Sequence, residues 1–431
     1  MAKFNIQNLQ PLKGMHDIIP SDQIWWEKAR KEFQYIVDTY NFMRIDTPLL
    51  ERSEVFERTL GETSDIVEKQ MFSFKNSSGD NLVLRPEATA SIVRAYIQHG
   101  LSHMPQPLRL FYIGPMFRKE QPQAGRFRQF HQAGMEILGG DCDPIYDAQI
   151  ILAMYRFFQN LKIKDVVIQI NSVGCRVCRP NYRKKLIEYY KNKNFKLCKD
   201  CARRLKDNPL RLLDCKNEQC QEYKAGAPMT VDNLCSNCSK HFTHVLEYLE
   251  ELRLPYQLNH YLVRGLDYYS RTTFEFFTEM PAADEKKFDF AIAGGGRYDY
   301  LFEVLGKKEG VGVGAAIGLE RVVEVMKAAQ VNLGIRESKK IFFIHIGDFA
   351  KKRSLTLIEQ LREDGIKVVE SLGKDSLGAQ LRSANKEGVD YALIFGQKEA
   401  FEDSIILRDL KNGVQETVPL KKIVNEVKRR I

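Results

Sequence analysis

The chain has 431 residues, 44% hydrophobic and 28% charged, a balance that excludes bulk disorder and leaves room for roughly two to three domains. No run approaches the roughly 18 apolar residues of a membrane span, and Met1-Ala2-Lys3-Phe4-Asn5 lacks an apolar signal core, so a cytoplasmic protein is expected. The formal net charge is +9, and residues 171–243 hold 16 Lys and Arg against 7 Asp and Glu, so this one segment carries the whole excess.

Helical spacing of Ile24, Trp25, Phe33, Ile36 and Val37, with Ser21 as N-cap, predicts an amphipathic helix over 21–41. Phe42–Glu51 reads as extended and is interrupted by Pro48. Strands are predicted at Met71–Phe74 and Leu82–Arg85, a helix at Ala88–Gln98, and a strand at Leu108–Ile113. Two more strands, Met116–Gln121 and Phe127–Ile137, flank the loop Gln121-Pro122-Gln123-Ala124-Gly125. Sheet character resumes at Tyr261–Arg264, Thr272–Phe277 and Phe288–Ala293. A Gly-rich turn, Gly294–Gly296, follows, then a strand at Gly310–Ile317 and a helix at Leu319–Ala329. These elements predict an α+β domain over 1–331, built on a mostly antiparallel sheet.

Residues 171–243 interrupt that domain as a Cys-rich, basic and mainly helical insertion. Its charge points to an anionic macromolecular partner, nucleic acid before membrane, although a solvated Lys-rich insertion has the same composition. Residues 332–339 read as a linker. Over 340–431 strand and helix patterns alternate as βαβαβ, which predicts an α/β domain with a largely parallel sheet.

Eight of the nine cysteines lie in the insertion: Cys175 and Cys178, Cys198 and Cys201, Cys215 and Cys220, Cys235 and Cys238. In a reducing compartment such pairs are metal ligands more often than disulfides. Cys175-x2-Cys178-x19-Cys198-x2-Cys201 has zinc-ribbon spacing, and Cys215-x4-Cys220 followed by Cys235-x2-Cys238 is a looser second set. Spacing leaves open which pairs share an ion. One or two structural Zn2+ ions are expected, against the alternative of reduced thiols in a small core. Cys142 stands apart and reads as a small buried hydrophobe.

Phe117-Arg118-Lys119-Glu120 ends one predicted strand, and Arg126, Arg128, Phe130 and Gln132 alternate along the next, so they share a face. A guanidinium fork suits a triphosphate, and a nearby carboxylate can accept from an exocyclic amine. Cross-strand ion pairing on a solvated hairpin would produce the same spacing.

Phe117–Glu120 with the downstream Arg126 resembles motif 2 of the class II aminoacyl-tRNA synthetases. Ile45–Glu51 resembles their motif 1 and Gly312–Arg321 their motif 3. Leu262–Tyr269 and Ala293–Asp299 resemble one member, the histidyl-tRNA synthetase family, and Arg85-Pro86-Glu87-Ala88-Thr89 is similar to its amino-acid-binding turn. The likeness spans nearly the whole chain. It implies ATP-dependent attachment of L-histidine to tRNA(His) through an adenylate, with Mg2+ on the triphosphate and a homodimer formed through residues 21–41 and the strand near Pro48. Glu87 and Thr89 would receive the histidine ammonium with Gln132 nearby, Glu136 and Tyr269 would read the imidazole, and Tyr268, Arg118 and Arg264 would complete the histidine site, Arg118 being catalytic as well. Arg118 would hold the α-phosphate, Glu120 the adenine amine, and Arg126 with Arg321 the outer phosphates. Arg264 would be the distinctive catalytic cation, its alternative being a buried structural ion pair. The C-terminal domain would bind the anticodon, the insertion the acceptor arm, and Gln123 with Arg126 the acceptor end. His131 is expected to be a packed residue outside catalysis. Two rivals remain: a non-catalytic histidine-binding regulator of histidine biosynthesis, and a zinc-stabilised RNA-binding protein.

Overall fold

The ten-residue runs Leu108–Phe117 and Gln129–Leu138 are largely apolar, and pairing them sends alternate side chains into a packed layer on each face of a sheet. In a computed structural model, which describes residues 9–61, 64, 66–123, 125–192, 195–278, 290–306, 309–334 and 340–431, this pair is central to the first of two units; the chain divides between Leu333 and Gly334.

The strands of the first unit are β1 (Met43–Arg44), β2 (Leu50–Arg52), β3 (Phe72–Lys75), β4 (Asn81–Leu84), β5 (Leu108–Phe117), β6 (Gln129–Leu138), β7 (Val166–Ser172), β8 (Tyr256–Leu258), β9 (Ser270–Thr278), β10 (Ala293–Arg297) and β11 (Gly312–Gly318). Eight of them form one sheet in the order β1-β5-β6-β11-β10-β9-β7-β8, and β2-β4-β3 form a small second one. Only the edge pairs β1–β5 and β7–β8 of the large sheet are parallel, so it is antiparallel-rich as expected. Phe111, Ala133, Met135 and Ile137 face a core capped by the helices Pro20–Thr39, Ile145–Asn160 and Leu319–Ala328. Leu110, Tyr112 and Met116 point to the opposite face. That opposite face carries the site.

Several expectations are corrected. The first helix begins at Pro20, with Ile19 rather than Ser21 at the N-cap, because Pro at the first helical position needs no amide partner. Leu108–Ile113 and Met116–Gln121 are not two strands; β5 runs through Gly114-Pro115, where an added Cβ would meet the Arg85 guanidinium. Gly294–Gly296 is not a turn but the middle of β10, paired on both sides, and the glycines are needed because a Cβ at Gly295 would strike Ala315. Of the predicted strand Phe288–Ala293, residues 288 and 289 lie outside the described residues, and the strand starts at Ala293. Tyr261–Arg264 is irregular, since Asn171 Nδ2 donates to the carbonyls of His260 (3.4 Å) and Leu262 (3.0 Å) where a neighbouring strand would. Residues 335–339 of the expected linker, residues 1–5 and Ala124 also lie outside the described residues.

Within 171–243 the described helices are Arg179–Asn192, Lys199–Asp207, Glu218–Lys224 and the start of Ser236–Glu251. Cys142 is only half-buried and meets charge, with Arg271 donating at 3.0 Å and Arg297 at 3.4 Å, so it is not an apolar filler.

The second unit holds β12 (Lys340–His345), β13 (Lys367–Glu370), β14 (Tyr391–Phe395), β15 (Ser404–Asp409) and β16 (Gln415–Pro419) in the order β13-β12-β14-β15-β16. The first three are parallel, as the βαβαβ pattern requires, but β15 and β16 add antiparallel, making the sheet mixed rather than largely parallel. The cause is local: Asp409 accepts from the amides of Lys411 and Asn412 and closes a hairpin. Among the described residues no helix is long and apolar enough to cross a membrane.

One buried pair ties the sheet to its helical layer. Arg297, at the end of β10, is fully buried against Asp147 of the helix Ile145–Asn160. Burial alone would raise the Asp147 carboxyl, but Arg297 and His241 hold it down to about 2. Replacing Arg297 with Met strands that carboxylate and is expected to lower urea-unfolding stability by about 3–5 kcal/mol. Adding Asp147→Asn should recover part of the loss, and a double variant no better than the single one would show that the pair is not the cause.

Candidate active site

Four arginines from separate segments line one cavity of about 150 Å³, together with Glu120, Gln132, Glu275 and Glu320. Arg118 leaves the end of β5, where its amide bonds the Arg128 carbonyl (2.8 Å); its Nε donates to Pro86 O (3.0 Å), and its guanidinium lies 5.2 Å from the Phe130 ring. Arg264 pairs with Glu275 of β9 and stands over Tyr269 at 5.6 Å. It occupies the space above Gly294, where any Cβ would collide with its guanidinium. Arg321 opens the helix after β11 and donates to Gly125 O and Ala291 O, each at 2.7 Å. Arg126 sits 3.6 Å from Glu120.

The electrostatics favour an anion. Burial, then repulsion from Arg126 and Arg118, pushes Arg321 down to about 10. Burial also lowers Arg118. Arg264 differs: burial would lower it, yet Glu275 beside it more than compensates and keeps it cationic. Its buried Nε has no partner among the described residues, so a donor is left over for a ligand.

A recess beside this cavity has the opposite character. Glu87 accepts from the amides of Thr89 (2.7 Å) and Ala90 (2.8 Å), and the Tyr268 hydroxyl lies 3.4 Å from it. Thr89 Oγ1 donates to Glu136 at 2.8 Å, and the Tyr298 hydroxyl donates to the other Glu136 oxygen. Glu136 fills the space that a side chain at Gly314 would take. Burial raises both carboxyls, Glu136 up to about 8 with Glu87 adding to the effect. Gln132 Oε1 is buried without a partner among the described residues, an acceptor available to an ammonium group.

The structure therefore gathers Arg118, Glu120, Arg126, Gln132, Arg264 and Arg321 in the cavity, and Glu87, Thr89, Glu136, Tyr268 and Tyr269 in the adjoining buried cluster. His131 lines neither: its Nδ1 lies 2.9 Å from the cavity-lining Glu320, and its ring meets Trp26 edge-on. Reading the sequence missed Tyr298 and Glu275. A lone acid in the otherwise apolar strand Thr272–Phe277 was the available signal for Glu275.

The cysteines form two groups whose sulfurs all lie within 4.8 Å of one another: Cys175, Cys178, Cys235, Cys238, and Cys198, Cys201, Cys215, Cys220. The grouping is nested, and the zinc-ribbon set of Cys175, Cys178, Cys198 and Cys201 is not formed. All are free thiols, with Sγ–Sγ distances of 3.8 Å (Cys175–Cys178 and Cys175–Cys235) and 3.9 Å (Cys198–Cys215). A tetrahedron of ligands at ~2.3 Å has edges of ~3.8 Å, so these spacings fit Zn2+. The amides of Cys175 and Val177 point at sulfur (3.2 and 3.3 Å), as does that of Asn217 (3.4 Å), an arrangement suited to thiolates.

The antiparallel-rich sheet agrees with the class II aminoacyl-tRNA synthetase fold that the sequence motifs imply. The family model described as Histidyl-tRNA synthetase matches residues 14–322, and that of an Anticodon binding domain matches 340–430. The histidine–tRNA ligases of Dehalococcoides mccartyi and Desulfitobacterium hafniense are each 41% identical to the chain over 98% of its length, covering 100% and 98% of theirs. The solved structure of apo S. aureus histidyl-tRNA synthetase superposes with a TM-score of 0.79 at 30% identity, over 97% of this chain and 99% of that one. The chain belongs to the histidyl-tRNA synthetase family.

The raised Glu136 carboxyl makes a signed prediction. Its contribution to ligand-free stability is complete below the usual glutamate value of 4.5 and is lost as pH rises through about 8. Thermal midpoints of the ligand-free protein should fall across that window, and Glu136→Gln should flatten the profile. Parallel profiles would mean that Glu136 is ionised throughout.

Proposed function

We propose that the chain joins histidine to tRNA(His) at the expense of ATP, through a histidyl-adenylate. The observation that carries this reading is the convergence of Arg118, Arg264 and Arg321 on one cavity beside a recess of carboxyl and phenol groups. Glu136 and Tyr269 read the imidazole, and Glu87, Thr89, Gln132 and Tyr268 surround the ammonium. A site that hydrogen-bonds a polar side chain rejects apolar amino acids by ~10⁴–10⁵, because the mismatch leaves buried groups unpaired. Glu120 takes the adenine amine. Arg126 and Arg321 take the outer phosphates, whose negative charge offsets the repulsion that Arg126 and Arg118 exert on Arg321.

In the first step the histidine carboxylate attacks the α-phosphorus in line and pyrophosphate leaves. Arg118 and Arg264 hold carboxylate and phosphate together and stabilise the charge that spreads over the phosphorus oxygens. Glu275 keeps the Arg264 guanidinium oriented. Mg2+ would neutralise triphosphate charge when bound, and of the lining carboxylates Glu275 and Glu320 would be the ones to offer it oxygens. In the second step the terminal ribose hydroxyl attacks the adenylate carbonyl, and the departing phosphate can accept the proton.

The eight cysteines are read as ligands of structural Zn2+, closed by four sulfurs each and therefore without a position for substrate. Exposed Ile24, Tyr35, Met43, Leu49 and Leu50 support a homodimer through the first helix and the strand after it. The C-terminal unit is read as the anticodon binder, and the basic insertion as the holder of the acceptor arm by phosphate contacts. The regulatory reading is disfavoured because histidine binding alone requires neither the arginine cluster nor the C-terminal unit.

Histidine-dependent ATP–pyrophosphate exchange should occur without tRNA and fail with other amino acids; histidine binding without exchange would establish the regulator. Arg264→Ala should lower the exchange kcat by about 10²–10³-fold while changing histidine affinity far less. Equal losses in both would make Arg264 a binding residue only.

A further inference from the structure

We propose that the Cys-rich insertion is the back wall of the amino-acid site, locked by two nested metal ions, so that histidine activation depends on metal even in the absence of tRNA. This rests on the reading above for the reaction and for zinc, and adds a task to the insertion that tRNA contact does not require.

The residues to be held are 261–269, which carry Arg264, Tyr268 and Tyr269. They form no strand, so sheet pairing does not fix them. The insertion supplies the bonds instead. Arg179, directly after Cys178, bridges three carbonyls: Val173 (3.2 Å), Gly174 (3.1 Å) and, across the site, Tyr269 (2.5 Å). Asn208, at the end of the helix that contains Cys201, donates to the Asp267 carboxylate at 2.8 Å. Ala225 O accepts from the Tyr261 hydroxyl (3.3 Å), and Lys224 Nζ stands 4.9 Å from that ring. Contacts thus reach the segment at its start, near its middle and at its end.

Each contact originates near a cysteine group. The outer group joins the two ends of the insertion, Cys175 and Cys178 after β7 to Cys235 and Cys238 at the next long helix. It sits close behind the recess: Gly174, with φ +69°, passes the Cys178 sulfur so tightly that an added Cβ would lie 2.8 Å from it. Gly174 O also accepts from the Arg271 amide at 2.9 Å, which fixes the chain just beyond Tyr269. Tyr300, packed on these cysteines and bonded by the Arg176 amide at 3.3 Å, is two residues from the Tyr298 that holds Glu136. The inner group lies on either side of Asn208. Four thiolates around Zn2+ would carry a net charge of −2, which suits the half-buried guanidinium of Arg179 beside them.

The test uses the full-length protein and pyrophosphate exchange without tRNA. Metal analysis should give two Zn per chain, and Co2+ exchanged into the sites should show thiolate-to-metal charge-transfer bands. Arg179→Ala should keep both metals yet raise the histidine KM about tenfold or more, the scale of a lost charged hydrogen bond, with the ATP KM little changed; Arg179→Lys should recover part. Cys235→Ser should drop the metal count to one and reproduce the histidine defect. A folded Arg179→Ala protein with wild-type histidine KM overturns the wall, whereas a metal-free, folded and fully active wild type overturns the metal lock. Neither result touches the ligase reading, which would fail only if exchange were absent in the wild type.

Discussion

Guanidinium groups that face one another across about 150 Å³ repel, and the protein spends fold stability to keep them there. Burial lowers the basicity of Arg118 and Arg321, and neighbouring cations add to it: Arg264 acts on Arg118, and Arg126 with Arg118 on Arg321. Such an arrangement persists only because the surrounding structure over-determines it. Pro86, Gly125 and Ala291 carbonyls hold two of the cations by the edge, Phe130 and Phe290 flank two of them, and the glycines of β10 leave room for Arg264. A bound polyanion relieves the repulsion. The cavity is therefore preorganised for charge that arrives with substrate, which is where electrostatic catalysis draws its strength.

The adjoining recess solves a different problem with the same sheet. Glu87 and Glu136 are buried in one cluster; burial raises both carboxyls, and the charge of Glu87 raises Glu136 further. Tyr298 and Thr89 fix the orientation of Glu136, so its hydrogen-bonding edge is set before a ligand arrives. Arg264 belongs to both halves, with its charge secured by Glu275 and its face over Tyr269. One stretch without helix or strand, 261–269, thus links amino-acid recognition to phosphate chemistry, and the insertion bonds to it from behind.

Much of this was legible because it follows period-2 alternation. Gln132 and Glu136 on β6 share a parity, so their arrival on one face needed no tertiary information. The resemblance supplied what alternation could not, namely that Arg118, Arg264 and Arg321 meet. Errors arose wherever a local signal competed with pairing. A run of three glycines reads as a turn, yet β9 and β11 on either side make Gly294–Gly296 a strand. Tyr261–Arg264 has strand composition, but the Asn171 side chain takes the neighbouring carbonyls that a ladder would use. Ile405 and Leu407 alternate as β15, but the βαβαβ pattern closes at Phe395 and carries no signal for a further antiparallel strand. The cysteine grouping was not readable at all, since nested and sequential closures have identical spacing and only the path of the helices between them decides.

The central claim, that the arginine cluster is an underneutralised receptor for a polyphosphate, is tested most directly by calorimetric titration of the ligand-free protein with inorganic tripolyphosphate, in parallel with an Arg321→Met variant. The account predicts saturable, salt-sensitive binding to the wild type that ATP displaces, weakened about tenfold or more in the variant, as expected for loss of a charge-assisted contact. Equal affinity in the two proteins, or no binding that ATP displaces, would contradict it.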